Sequence, residues 1–180
     1  MLAALFWSGN FIVGKFAYLF EVPPLTLNFL RWASVWFILL PFTYKNIYNN
    51  LPNIKKNWLV ISFMGVITIS TFNSVVYFAL NYTQVINAVL VLAAIPAVTI
   101  FFSFLLKVEK TNIFQLTGLF LSIIGIGAII SNADIQKITS LSFNKGDLWM
   151  LVCVITWSLY STLLKKYKFK FSQFSLIQLM

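Results

Sequence analysis

Trp7-Ser8-Gly9-Asn10-Phe11-Ile12-Val13-Gly14-Lys15 lies inside the first apolar run of the chain. Its outline returns 150 positions later as Trp157-Ser158-Leu159-Tyr160-Ser161-Thr162-Leu163-Leu164-Lys165. Each copy reads Trp-Ser, six residues, then Lys, and each follows an apolar lead-in, Leu2 to Phe6 and Leu151 to Ile155. A repeat of this kind points to a chain built from two related units. Composition says in which solvent those units fold. Of 180 residues, 60% are hydrophobic and only 9% are charged, where a soluble domain carries about 25% charged residues. So few charges cannot cover a water-facing surface, and the chain reads as an all-α, multi-pass integral membrane protein.

A crossing helix needs about 20 mostly apolar residues, and six runs of this kind follow one another. They are Leu2 to Phe20, Leu25 to Tyr44, Trp58 to Leu80, Val85 to Leu106, Thr111 to Ser131 and Asp147 to Leu164. A seventh begins at Phe171 and reaches Met180, so the chain reads as a fragment. Glu21-Val22-Pro23-Pro24 breaks the first run, because proline lacks the N–H and favours an extended residue before it. Pro24 is pre-set for the start of the second helix. Residues 45–57 read as a polar loop, and Pro96 predicts a kink in the fourth run. The first run lacks a basic leader and continues into Asn10 and Lys15, unlike a cleavable signal peptide.

Loop charge sets the orientation. Lys45, Lys55, Lys56, Lys107, Lys110, Lys165, Lys166, Lys168 and Lys170 follow even-numbered runs, while only Lys137 and Lys145 lie in the loops opposite. The even-numbered exits and the N-terminus are therefore expected in the cytoplasm. The first run then crosses outward and the sixth inward, so the two Trp-Ser copies are inverted. Inverted repeats that rock around a midplane site are a signature of transporters. The expected division is a first five-helix repeat over residues 1–131, a connecting loop over 132–146, and the start of a second repeat over 147–180.

Several residues carry a family resemblance. They are Phe6-Trp7-Ser8-Gly9-Asn10-Phe11 with Lys15, Asn28-Phe29-Leu30-Arg31-Trp32, and Ala79-Leu80-Asn81-Tyr82-Thr83. Further along come Pro96, Glu109 with Gln115-Leu116-Thr117-Gly118, and Gly146-Asp147-Leu148 ahead of Trp157-Ser158-Leu159-Tyr160. In this order the chain resembles the EamA family of the drug/metabolite transporter superfamily. The one small departure is Trp-Ser-Gly-Asn where many relatives read Trp-Gly-Ser-Asn. The resemblance implies ten helices in two five-helix repeats, an inner-membrane location, and export of amino acids or other metabolites.

The polar residues within the runs are the site candidates. Ser70, Asn73, Ser74, Tyr77 and Asn81 share one face of the third helix by spacing. Asn73 and Tyr77, with Trp7, Asn10 and Asn87, are the expected lining of a substrate cavity; hydrogen bonding between helices is the competing role. Lys15 and Arg31 fall at similar depth on either side of the first turn. They would form a cationic outer vestibule for an anionic group, or snorkel to the headgroups beside Glu21. Gly118, Ser122 and Gly125 make a small-residue stripe of the kind against which a neighbouring helix packs.

Enzyme chemistry is not expected. The chain has no histidine and one cysteine, Cys153, inside an apolar run, and its acids Glu21, Glu109, Asp134 and Asp147 all lie at run ends or in loops. No catalytic residue, metal site or cofactor is therefore assigned. The net charge of +9 sits mainly in loops, which argues for a lipid headgroup partner and against nucleic acid. The partners expected are the bilayer, a small-molecule substrate and, as one allowed assembly, a second copy in a homodimer. A non-transporting membrane scaffold or sensor is the alternative that packing signals alone leave open.

Overall fold

The computed structural model describes residues 2–108, 112–130 and 145–180, and these are helical throughout apart from short turns. The order is α1 (Leu2–Leu19), α2 (Pro24–Asn49), α3 (Leu51–Gly65), a π-helical segment (Val66–Phe72), α4 (Asn73–Ala79), α5 (Val85–Leu92), α6 (Ile95–Leu105), α7 (Ile113–Ile130), α8 (Lys145–Tyr167) and α9 (Gln173–Leu179). Four helical stretches among the described residues are long and apolar enough to cross a membrane: Pro24–Asn49, Leu51–Ala79, Val85–Leu105 and Lys145–Tyr167. The chain is thus a multi-pass helical membrane protein. Residues 131–144, which hold Asp134, Lys137 and most of the connecting loop, lie outside the described residues, as do 109–111 with Glu109 and Lys110.

Helix ends follow from local chemistry. Pro24 opens α2 as expected. α1 and α6 each close with the second residue past the helix in the left-handed region, Glu21 at φ 57° and Lys107 at φ 53°. In both, the following N–H reaches five residues back, Val22 to the Ala17 carbonyl at 2.9 Å and Val108 to that of Ser103 at 2.9 Å. This closes the last turn without a glycine. α8 carries Asp147 in its first turn and Lys165 and Lys166 in its last, each sign favourable to the helix dipole. Ser172 caps α9 by accepting from the Ser175 N–H.

Two sequence expectations change in detail. Residues 45–57 are not a loop: α2 runs through Asn49 and α3 starts at Leu51 with Pro52 in its first turn. Proline is tolerated there because that N–H has no helical partner, and the polar residues of both ends need only reach the headgroups. Within α7, a Cβ added at Gly118 or Gly125 would meet nothing within 4 Å. The small-residue stripe therefore has no packing partner at those positions among the described residues. At Pro96 the expected interruption is present: a turn at Ala93 and Ala94 separates α5 from α6. Ser158 on α8 donates to the Ile95 carbonyl there at 3.1 Å.

α8 occupies the centre, packing along the π segment, α4, α5 and α6. The core joins Phe11 of α1 with Phe72, Val76, Tyr77 and Leu80, Ala88 and Leu92, and Met150, Cys153 and Val154 of α8. The outward faces stay apolar: Phe29, Phe37 and Phe42 of α2 are each at least 70% exposed, as lipid contact requires. Gly14 lets α1 approach α4. A Cβ there would lie 2.7 Å from the Tyr77 ring and 3.1 Å from Leu80 Cδ1. Tyr77 is only 2% exposed, so it has little room to yield. Gly14→Ala is expected to destabilise the protein by about 1–3 kcal/mol, read as a lower unfolding midpoint in detergent, while Gly9→Ala, which meets no neighbour, leaves it unchanged.

Candidate functional site

The π segment explains why polar side chains gather where they do. Its wider turns displace the regular ladder and place Thr68 O and Ile69 O within reach of side chains. Asn73 Nδ2 donates to the Thr68 carbonyl at 2.8 Å. From α2, Asn28 Nδ2 donates to the Ile69 carbonyl at 2.9 Å and to Ser74 Oγ at 2.9 Å. The same widening turns Ser70 outward, where it is exposed, so the polar face read from the sequence narrows to Asn73, Ser74 and Tyr77.

Arg31 of α2 gathers this face together. Its Nη2 donates to Asn73 Oδ1 at 2.7 Å, and its Nη1 donates both to Asn10 Oδ1 and to the Tyr77 hydroxyl. The Tyr77 hydroxyl in turn donates to Asn10 Oδ1 at 2.7 Å. The guanidinium carbon also lies 5.3 Å from the Trp32 ring centroid and 5.7 Å from that of Tyr77, within cation–π range. Four residues from three helices, α1, α2 and α4, thus form one cluster around a cation. Among the described residues no carboxylate pairs with Arg31.

Lys15 does something different. Its ammonium donates to the carbonyls of Leu80 at 2.7 Å and Thr83 at 3.3 Å and lies 5.2 Å from the Tyr18 ring. These are carbonyls left over where α4 ends, a location that favours a cation. Lys15 and Arg31, expected side by side, therefore serve two places. Thr83 also donates to Asp147 Oδ1 at 3.1 Å, tying this turn to the start of α8.

A cavity of about 620 Å³ lies between α1, α5, α6 and α8, lined by Trp7, Phe11, Leu92, Pro96 and Trp157 among others. The two tryptophans of the Trp-Ser repeat meet here, ring centroids 5.6 Å apart, and Phe72 lies 4.6 Å from Trp157. Asn10 is three residues beyond Trp7 and next to Phe11, so the cavity wall and the Arg31 cluster share one stretch of α1. Asn87 is exposed on α5 and has no hydrogen bond to the cluster among the described residues. A wider groove of about 750 Å³ between α2, the π segment and α9 is walled by Phe29, Trp36 and Phe37, residues exposed in the way of lipid-facing positions.

The sequence places Asn10, Asn73 and Tyr77 together as cavity lining and Arg31 apart from them in an outer vestibule; the cluster joins Arg31 to the other three. It missed Asn28, whose signal was present: an amide four residues before Trp32 and three before Arg31, on the same face of α2.

Comparison with known proteins places this multi-pass bundle, with its polar cluster and aromatic cavity, in a family. Residues 1–131 match the EamA-like transporter family, and the chain belongs to that family. It is 28% identical over 135 residues to "Uncharacterized transporter YyaM" of Bacillus subtilis (strain 168), covering 75% of this chain and 43% of that protein. It is also 27% identical over 169 residues to an uncharacterized transporter of Clostridium kluyveri, 92% of this chain and 54% of the relative. A third, from Archaeoglobus fulgidus, is 28% identical over 170 residues, 94% of this chain and 57% of the relative. The chain spans about half the length of the curated relatives it matches. No solved structure matches it.

The division of labour between the two cations is testable. Lys15→Met removes a charge-assisted bond at the end of α4 and is expected to lower stability by about 1.5–3 kcal/mol. Solute affinity at matched folded protein should stay within twofold, measured by radioligand binding.

Proposed function

We propose that this protein carries small organic solutes across the cell's inner membrane by alternating access, without enzymatic chemistry. Amino acids or other metabolites moving outward are the substrates and direction that the family suggests. The observation that carries the reading is the Arg31 cluster. An ionised side chain within a membrane helix is costly and has to be paired inside the protein, and here it is held by Asn10, Asn73 and Tyr77 beside an aromatic cavity. A scaffold or sensor would have no use for that space and would close it with interdigitated side chains.

On this reading the residues that build the solute site are Asn10, Trp7, Asn73 and Tyr77, with Asn87 at the margin and Arg31 supplying charge. Lys15 fixes the outer turn rather than joining them. The inverted repeat supplies the motion: the first repeat, residues 1–131, rocks against a second that begins with α8. Loop lysines support a cytoplasmic N-terminus. The meeting of Trp7 and Trp157 at one cavity supports a solute site between the two repeats.

Transport by the full-length protein in proteoliposomes, loaded with a metabolite panel and assayed with and without a pH gradient, tests the reading. Flux of at least one solute is expected, and Asn73→Ala and Tyr77→Ala should each reduce it about tenfold, the consequence of losing a hydrogen bond to a charged group. Absence of flux for every solute under both conditions would refute it.

A further inference from the structure

Around Arg31 the hydrogen-bonding groups are unequally committed. Asn73 is used at both ends, its Oδ1 by Arg31 and its Nδ2 by the Thr68 carbonyl. Asn28 commits its Nδ2 to Ile69 and Ser74. The Tyr77 hydroxyl accepts from Arg31 and donates to Asn10. Asn10 is the exception. Its Oδ1 accepts from both Arg31 and Tyr77, while its Nδ2 takes no acceptor among the described residues.

Those two bonds settle which way the Asn10 amide faces. Turning it over would set its N–H2 against two donors, one of them cationic. The amide is therefore pinned by charge, with its donors directed away from Arg31 and Tyr77. Arg31 itself has five N–H donors, of which the three bonds described use three. Within the four residues bonded together around Arg31, what is left unmet is N–H donors and a positive charge with no carboxylate partner among the described residues; Asn28, which does not bond to Arg31, leaves its buried Oδ1 acceptor without a partner. Asn10 is half-buried rather than sealed, and it lies on the stretch of α1 between Trp7 and Phe11, both of which line the aromatic cavity.

We propose that the solute carries an oxyanion, of the carboxylate type, on an apolar or aromatic body. The oxyanion is received by Asn10 Nδ2 and the remaining N–H donors of Arg31, and the body lies against Trp7, Phe11 and Trp157. Arg31 has two roles here: it is the counter-charge, and through Oδ1 it holds the Asn10 amide in the donating orientation. Tyr77 is a positioning residue that shares the second role. This rests on the transport reading above and narrows it to a substrate class.

Three probes of nearly equal shape separate charge from bulk: benzoate, benzamide and benzylammonium. Their equilibrium binding to the purified full-length protein is measured directly, with radiolabelled benzoate and competition by the other two. Benzoate should bind at least about tenfold more tightly than either competitor. Asn10→Asp keeps acceptors for Arg31 and Tyr77, so the cluster stays paired, but puts a carboxylate oxygen in place of the Nδ2 donor, facing the solute's own. It should weaken benzoate at least about tenfold without lowering the unfolding midpoint, because the new carboxylate pairs with Arg31. Tyr77→Phe, which loosens the pin, should weaken benzoate by a smaller factor and leave the order of the probes intact. Benzoate binding no better than benzamide, no benzoate binding at all, or full benzoate affinity in Asn10→Asp would each overturn the proposal. Flux of neutral solutes without any preference for anions would overturn it and leave transport standing; benzoate binding without flux would do the reverse.

Discussion

A guanidinium among apolar helices has to be met from inside the protein, because the bilayer offers it nothing. Arg31 is met by Asn73 Oδ1, Asn10 Oδ1 and the Tyr77 hydroxyl, and this one requirement orders the first half of the bundle. It fixes α2 against α4 and both against α1. It needs Gly14, which lets α1 come close enough to the Tyr77 ring for Asn10 to reach across. It also needs the π segment, which gives Asn73 a backbone carbonyl to hold while its other end takes the arginine. Neutral oxygens supply the hydrogen bonds without cancelling the charge, and so the cluster keeps its capacity for an anion.

The aromatic cavity complements this. Trp7 and Trp157 open the two copies of the Trp-Ser repeat and end in contact, their rings tilted by 37° with centroids 5.6 Å apart. A short stretch of α1 therefore carries an apolar wall at Trp7 and Phe11 and a polar corner at Asn10. Solutes with an apolar body and a polar end, the class proposed above, match such a surface.

Much of this was legible in the sequence, for physical reasons. Charge scarcity and run length fixed the membrane bundle, and proline chemistry placed the start of α2 and the break at Pro96. The amphipathic face of the third helix singled out Asn73 and Tyr77. Other features were not legible. Residues 45–57 are polar and looked like a loop, yet polar residues at a headgroup surface are free to be helical. The π segment has no sequence signature in one chain, so Ser70 was assigned to a face from which the wider turn removes it. Lys15 and Arg31 look alike by spacing from the first turn. Only tertiary contact shows that one ends on the Leu80 and Thr83 carbonyls and the other on side chains. The stripe at Gly118 and Gly125 shows the converse limit: the pattern marks a packing surface without saying what packs there.

The most direct test of the account is the energetic coupling between Arg31 and Tyr77, measured as a double-mutant cycle of Arg31→Met and Tyr77→Phe on unfolding in detergent. A cluster held together by the guanidinium predicts a coupling energy above about 1 kcal/mol, since residues sharing one network do not add. Stabilities that add to within about 0.3–0.5 kcal/mol, as for independent sites, would contradict it.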